Sequence, residues 1–203
     1  MPSASRLATA ALALILCAGM PAYAQEPAVE RLSVPGPIMF GADTYRLSWS
    51  SHPSANYYKQ EYLPDGQTSE RFQQMVLVEA TLQEADVERV VASQVQWLDK
   101  RKATDPVVNY AILKNPKTGE AILDFLLSSD EPKLDYVVEW NAYRYAPLPQ
   151  KDGKLGVLLF GITRRAYGDD STNFLRALKA TRPQEIDALA KYALPAVAPR
   201  SME

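Results

Sequence analysis

Apolar and polar positions alternate from Thr44 to Ser50, with Tyr45, Leu47 and Trp49 on one side and Arg46 and Ser48 on the other. A period of two is the mark of a half-buried strand. Ser51-His52-Pro53-Ser54 reads as a turn, and Tyr57–Leu63 as a second strand closed by the turn signal Pro64-Asp65-Gly66. Arg71–Glu79 is a third strand. Its Met75–Val78 run is apolar on both faces, which suits a central position. The period then changes. Val87, Val90, Val91, Val95 and Leu98 recur at helical spacing behind Thr81-Leu82-Gln83-Glu84, which matches a capping box. A helix is expected over Gln83–Arg101. Its valines are poor helix formers, so burial rather than propensity must hold it.

After Asp105-Pro106 the strand pattern returns. Val107–Lys114 and Glu120–Ser128 flank the hairpin loop Asn115–Gly119, and Leu134–Ala146 and Lys154–Ala166 flank the longer loop Pro147–Gly153. Asp170-Ser171 caps a helix containing Phe174, Leu175 and Leu178. Thr181 recaps, and Pro183 opens a last helix with Ile186, Leu189, Ala190 and Ala193. This segregated order predicts an α+β fold, a mostly antiparallel sheet of about six to seven strands with two to three helices packed on one face. A single domain over residues 44–194 is expected. A Pro-containing lead over 25–43, extended and peripheral, precedes it, and a flexible tail over 195–203 follows. Over Tyr45–Leu194 the element order is similar to that of PsbP-like periplasmic domains and of secreted proteobacterial proteins without an assigned function. The resemblance implies an exported α+β domain. It transfers no functional residue, because no motif carries it.

The first residues read as an address. Arg6 precedes the apolar run Leu7–Cys17, Gly19 and Pro21 break it, and Ala22-Tyr23-Ala24 offers the small-x-small pattern of a leader peptidase site. Met1–Ala24 is therefore expected to be a signal peptide, cut before Gln25, that sends the chain to the periplasm of a Gram-negative bacterium or beyond it. The apolar run is about 11 residues, short of the roughly 20 that cross a bilayer. Leu16 before Cys17 is too bulky for a lipidation site. Later apolar runs are strand-sized, so no membrane span is expected in the mature protein.

Cleavage there removes Cys17, the only cysteine, and leaves His52 as the only histidine. Stability must then come from packing without disulfides. The 22 basic and 24 acidic side chains give a net charge of −2, which argues against a nucleic-acid partner. No phosphate loop, dinucleotide fingerprint, metal motif or nucleophile elbow is present, so no cofactor, metal or catalytic residue is assigned.

Two features remain. Arg164 and Arg165 end the last strand, where they could grip an anionic ligand or simply pair with Asp135 or Glu139. Tyrosines number 11, and Tyr57, Tyr58 and Tyr62 share one strand while Trp140, Tyr143 and Tyr145 share another. Such aromatics either fill the core or present a binding face, and alternation puts Trp140 and Tyr143 on opposite faces. The expectation is an exported periplasmic binding or accessory protein without catalysis. Its contacts would be Tyr57, Tyr58, Trp140, Tyr143, Arg164 and Arg165, and its partner a protein or a small anionic or aromatic ligand. Two alternatives stay open: a cell-envelope hydrolase using carboxylates or His52, and a structural subunit of an envelope or secretion complex.

Overall fold

A computed structural model describes residues 28–82, 85–131, 135–150 and 153–199. The leader lies outside the described residues, as do Gln83 and Glu84 of the capping box. The strands are β1 (Ile38–Phe40), β2 (Asp43–Ser54), β3 (Tyr57–Leu63), β4 (Gln74–Thr81), β5 (Asn109–Asn115), β6 (Glu120–Glu131), β7 (Asp135–Pro149) and β8 (Leu155–Tyr167). The helices are α1 (Val87–Arg101) and α2 (Asp170–Lys191). All strands join one antiparallel sheet in the order β1-β2-β3-β4-β8-β7-β6-β5, curled into a half-barrel. Two four-strand meanders thus meet back to back at β4 and β8. Helix α1 follows β4 at the seam, packs on β6 and β7, and leads to β5 at the far edge.

This corrects the expected α+β arrangement in three ways. Among the described residues the sheet has eight strands, because β1 lies inside the proline-containing lead. Far from being peripheral, that lead buries Leu32, Val34, Ile38 and Phe40. The Tyr62 hydroxyl donates to the Val34 carbonyl at 2.5 Å, which ties the lead to β3.

Second, the described residues hold two helices, because the segments expected on either side of Pro183 are one. Helix α2 runs straight through Pro183, whose missing N–H would ordinarily favour a break. The residues around the proline explain its survival. Arg182 pairs with Asp124 of β6, and Glu185 pairs with Arg164 of β8, so the sheet grips the helix on both sides of the weak point.

Third, the helices cover opposite faces. Val76, Val78, Trp140, Ala142, Phe160 and Ile162 pack with Leu178 and Leu189 of α2. Their strand neighbours Leu77, Leu123, Phe125, Tyr145 and Leu159 pack with Val87, Val91 and Leu98 of α1. A sheet that is apolar on both faces needs two covers.

Helix α1 opens at Asp86, whose carboxylate accepts the Arg89 N–H at 2.8 Å. Beyond its other end, Asp105 is almost fully buried. It accepts the Ser128 N–H and hydroxyl, both at 2.7 Å, together with the Val107 N–H and the Arg101 guanidinium. Burial alone would push its pKa up, but the Ser128 hydrogen bonds and Arg101 overcome that and hold it below the ordinary value. A carboxyl held low adds stability above its unfolded pKa and loses it as pH falls through the native one. Asp105→Ala should therefore cost about 2–3 kcal/mol in urea unfolding at pH 7, where buried donors lose their acceptor. The gap from the wild type should close as the pH drops below about 3.

Candidate functional site

Helix α2 packs on β7 and β8. Three arginines set where it lies. The Arg182 Nε reaches both carboxylate oxygens of Asp124 at 2.9 Å. Asp124 is buried and also accepts the Trp140 indole N–H at 2.6 Å. Arg164 pairs with Glu185 at 2.6 Å. Arg144 donates to the carbonyls of Leu189 and Tyr192 at the helix C-terminus, at 3.0 and 2.8 Å, while its other nitrogens hold Glu120 of β6.

Beside the helix this leaves a groove of about 680 Å³ over β5 and β6. Its walls are Ala111, Leu113, Ile122, Pro183, Ile186 and Ala190. Strand pairing explains the β5 contribution: Ala111 lies opposite Asp124 and Leu113 opposite Ile122, so all four share the α2 face. Leu113 is 47% exposed. The volume falls within the roughly 300–1,000 Å³ of small-molecule sites. The charged groups at its floor, Glu120, Asp124, Arg144 and Arg182, are locked in pairs. What the groove offers is an apolar surface with a polar rim.

The α1 face carries a different arrangement, a polar strip across four strands. Tyr57, Lys59 and Glu61 come from β3, Glu79 from β4, Thr163 and Arg165 from β8, and Glu139, Asn141 and Tyr143 from β7. Lys59 lies 2.9 Å from Glu61 and 3.8 Å from Glu79. The Tyr57 hydroxyl donates to Glu79 at 2.7 Å. Arg165 pairs with Glu139 at 2.8 Å through Nε and covers the Phe72 ring. The Asn141 amide donates to Glu139, and Thr163 donates to Asn141.

Cavities of about 220 and 140 Å³ share Glu139 and Arg165 in this strip. Burial pushes the Glu79 carboxyl up against the opposing pull of Lys59 and Tyr57. Burial would lower the Lys59 ammonium, but Glu61 and Glu79 raise it. Perturbed carboxyls often mark active sites. Here, however, the carboxylates already spend their oxygens on partners within the strip.

The residues singled out from the sequence fall into two sets. Tyr57, Tyr143 and Arg165 sit in the polar strip, where the Tyr143 ring lies against Gly161; a Cβ there would stand 2.7 Å from it. Tyr58, Trp140 and Arg164 lie on the α2 face. Trp140 is fully buried, Arg164 is a tether of α2, and Tyr58 stacks on His52 at 3.9 Å between ring centres. His52 Nδ1 lies 3.1 Å from the Tyr57 carbonyl. Among the described residues no group of three or more His, Cys, Asp or Glu could hold a metal ion. No helix among them is long and apolar enough to cross a membrane.

Sequence reasoning missed the groove. A usable signal was present: Asp124 is a lone carboxylate inside the apolar run Ala121–Leu127, and such a charge is almost never buried without a partner.

The chain belongs to a protein family, uncharacterised in function, whose model matches residues 32–194. That span takes in the lead from Leu32 onward as well as the two meanders. No curated protein matches the chain.

Asp124→Ala should cost about 3 kcal/mol in urea unfolding, because Arg182 and the Trp140 indole lose their common acceptor. Glu79→Gln should do the opposite. A carboxyl whose native pKa is raised stabilises the fold in its protonated form, and that contribution is lost as pH rises through the native pKa. The glutamine variant should therefore unfold at a higher urea concentration than the wild type at pH 7, with the difference vanishing near pH 4.

Proposed function

We propose that this is an exported, non-catalytic binding protein that takes a small amphipathic ligand in the groove between α2 and the outer strands β5 and β6. One observation carries this reading: a groove of about 680 Å³ with apolar walls, whose charged residues are already neutralised in pairs. Such a surface gains little from a highly charged ligand. It gains from one that buries an apolar or aromatic body and leaves its polar end at the rim, near Lys114 and Asp187. Export rests on the leader pattern of Met1–Ala24. The engagement of Glu61, Glu79 and Glu139 with cations and hydrogen-bond donors favours binding over the hydrolase alternative.

The test uses 1-anilinonaphthalene-8-sulfonate, an anionic aromatic probe that brightens in apolar sites. Ala190 is exposed on the groove wall, so Ala190→Trp fills the space without disturbing the core. The wild type should bind the probe saturably. The variant should bind it at least about tenfold more weakly, a loss of about 1.4 kcal/mol, with an unchanged melting temperature. Equal binding by both proteins would place the ligand elsewhere.

A further inference from the structure

The two edges of the sheet are built differently. One is β1, three residues long, entered through Pro35 and Pro37, with Ile38 and Phe40 turned into the core. Short strands and prolines are the usual protection of a sheet edge. The other edge is β5, seven residues with no proline and no register shift against β6. Every residue of β5 except Tyr110 is exposed, with Ile112 at 40% on the α1 face and Leu113 at 47% on the α2 face. Among the described residues no strand lies beside its outward-facing backbone groups. An edge of this kind is a template for another strand.

We infer that two copies of this chain join edge to edge through β5, antiparallel, about a two-fold axis at Ile112. The sequence Asn109-Tyr110-Ala111-Ile112-Leu113-Lys114-Asn115 is self-complementary in that register. Ile112 meets Ile112, Ala111 meets Leu113 as small against large, and Asn109 meets Asn115. Lys114 of one copy faces Tyr110 of the other. That ring already carries the Lys102 ammonium of its own chain at 4.3 Å, and Lys114 is held by Glu88 at 3.0 Å, so this pair meets through the Lys114 methylenes and the tyrosine edge and not through charge. No like charges stand directly opposite one another across the seven positions. A two-fold contact must match itself in this way, residue i against j and j against i. The pairing would merge two half-barrels into one sixteen-strand sheet. It goes beyond the ligand reading and does not depend on it: Ile112 lines a cavity on the α1 side, whereas the ligand groove lies on the α2 side.

Sedimentation equilibrium should give twice the chain mass at concentrations near 100 µM, an order typical of modest interfaces. Ile112→Lys puts two ammonium groups on the axis and should return the mass to that of one chain while leaving probe binding in the α2 groove intact. Ile112→Cys, in a Cys17→Ser background, should form an intermolecular disulfide on mild oxidation, since directly opposed residues lie about 4.5–5.5 Å apart. Asn109→Cys in the same background should not, because its own copy across the axis is roughly 20 Å away. A single-chain mass for the wild type at all concentrations overturns the inference. So does a dimer that survives Ile112→Lys, or equal cross-linking at positions 109 and 112. Loss of probe binding in Ala190→Trp speaks to the ligand groove alone, so failure of one reading is distinguishable from failure of the other.

Discussion

The arrangement turns on a single buried carboxylate. Asp124 sits in the run Ala121–Leu127, otherwise made of Ala, Ile, Leu and Phe, and leaving it there unpaired would be prohibitive. It is satisfied on the α2 face by two separate elements. The Trp140 indole comes from the neighbouring strand, and the Arg182 guanidinium descends from α2. The same contact that makes the charge tolerable fixes the helix above the sheet. Arg164–Glu185 and the grip of Arg144 on the helix C-terminus then remove the remaining freedom. Because the tethers reach β6, β7 and β8 and none reaches β5, the edge strand stays bare on that face. The groove is what remains once the helix has been pinned.

The second constraint is apolarity on both faces of the central strands. Residues of either parity in β4 and β8 are buried, so one layer of helices could never suffice. The chain meets this by sending α1 across one face between the two meanders and returning α2 across the other. Covering the α1 face is incomplete toward β3. There the sheet turns from leucine and valine to Lys59, Glu61, Glu79, Glu139 and Arg165. That ion-paired strip acts as the boundary between core and solvent, with Tyr57 and Tyr143 at its floor.

Much of this was legible in the residues. The alternation in Tyr45–Trp49 and the valine spacing of α1 placed the corresponding elements, although a register shift after Leu47 sets Trp49 opposite Glu61, on the other face from Tyr45 and Leu47, and the parity of Trp140 against Tyr143 assigned those two to opposite faces. The two-sided apolar run Met75–Val78 even held the clue to a second cover. What sequence could not supply was the identity of the cover, because strand periodicity says that a face is buried without saying by what. β1 was missed because two buried residues in a three-residue strand make no periodic signal. Pro183 suggested a break because the tethers that carry α2 through it lie more than 15 residues away in the chain, on β6 and β8. The groove was invisible for the same reason: Arg144, Arg182 and Asp124 acquire meaning only when three elements are brought together.

The seam between β4 and β8 bears on how the protein reaches this state. Each meander closes through short local hairpins, but the seam joins Gln74 to Arg164 and Thr81 to Val157 across the whole second half of the chain. Loop-closure entropy makes such pairings late events. Until β8 emerges and docks, the edge of β4 stands open, and it is among the most apolar segments of the molecule. The finished fold guards one rim with prolines, yet its most adhesive strand is left unguarded for as long as synthesis and assembly take. A nascent chain of this design is therefore one that a holding chaperone would recognise at β4, and its solubility is decided in time before it is decided in structure.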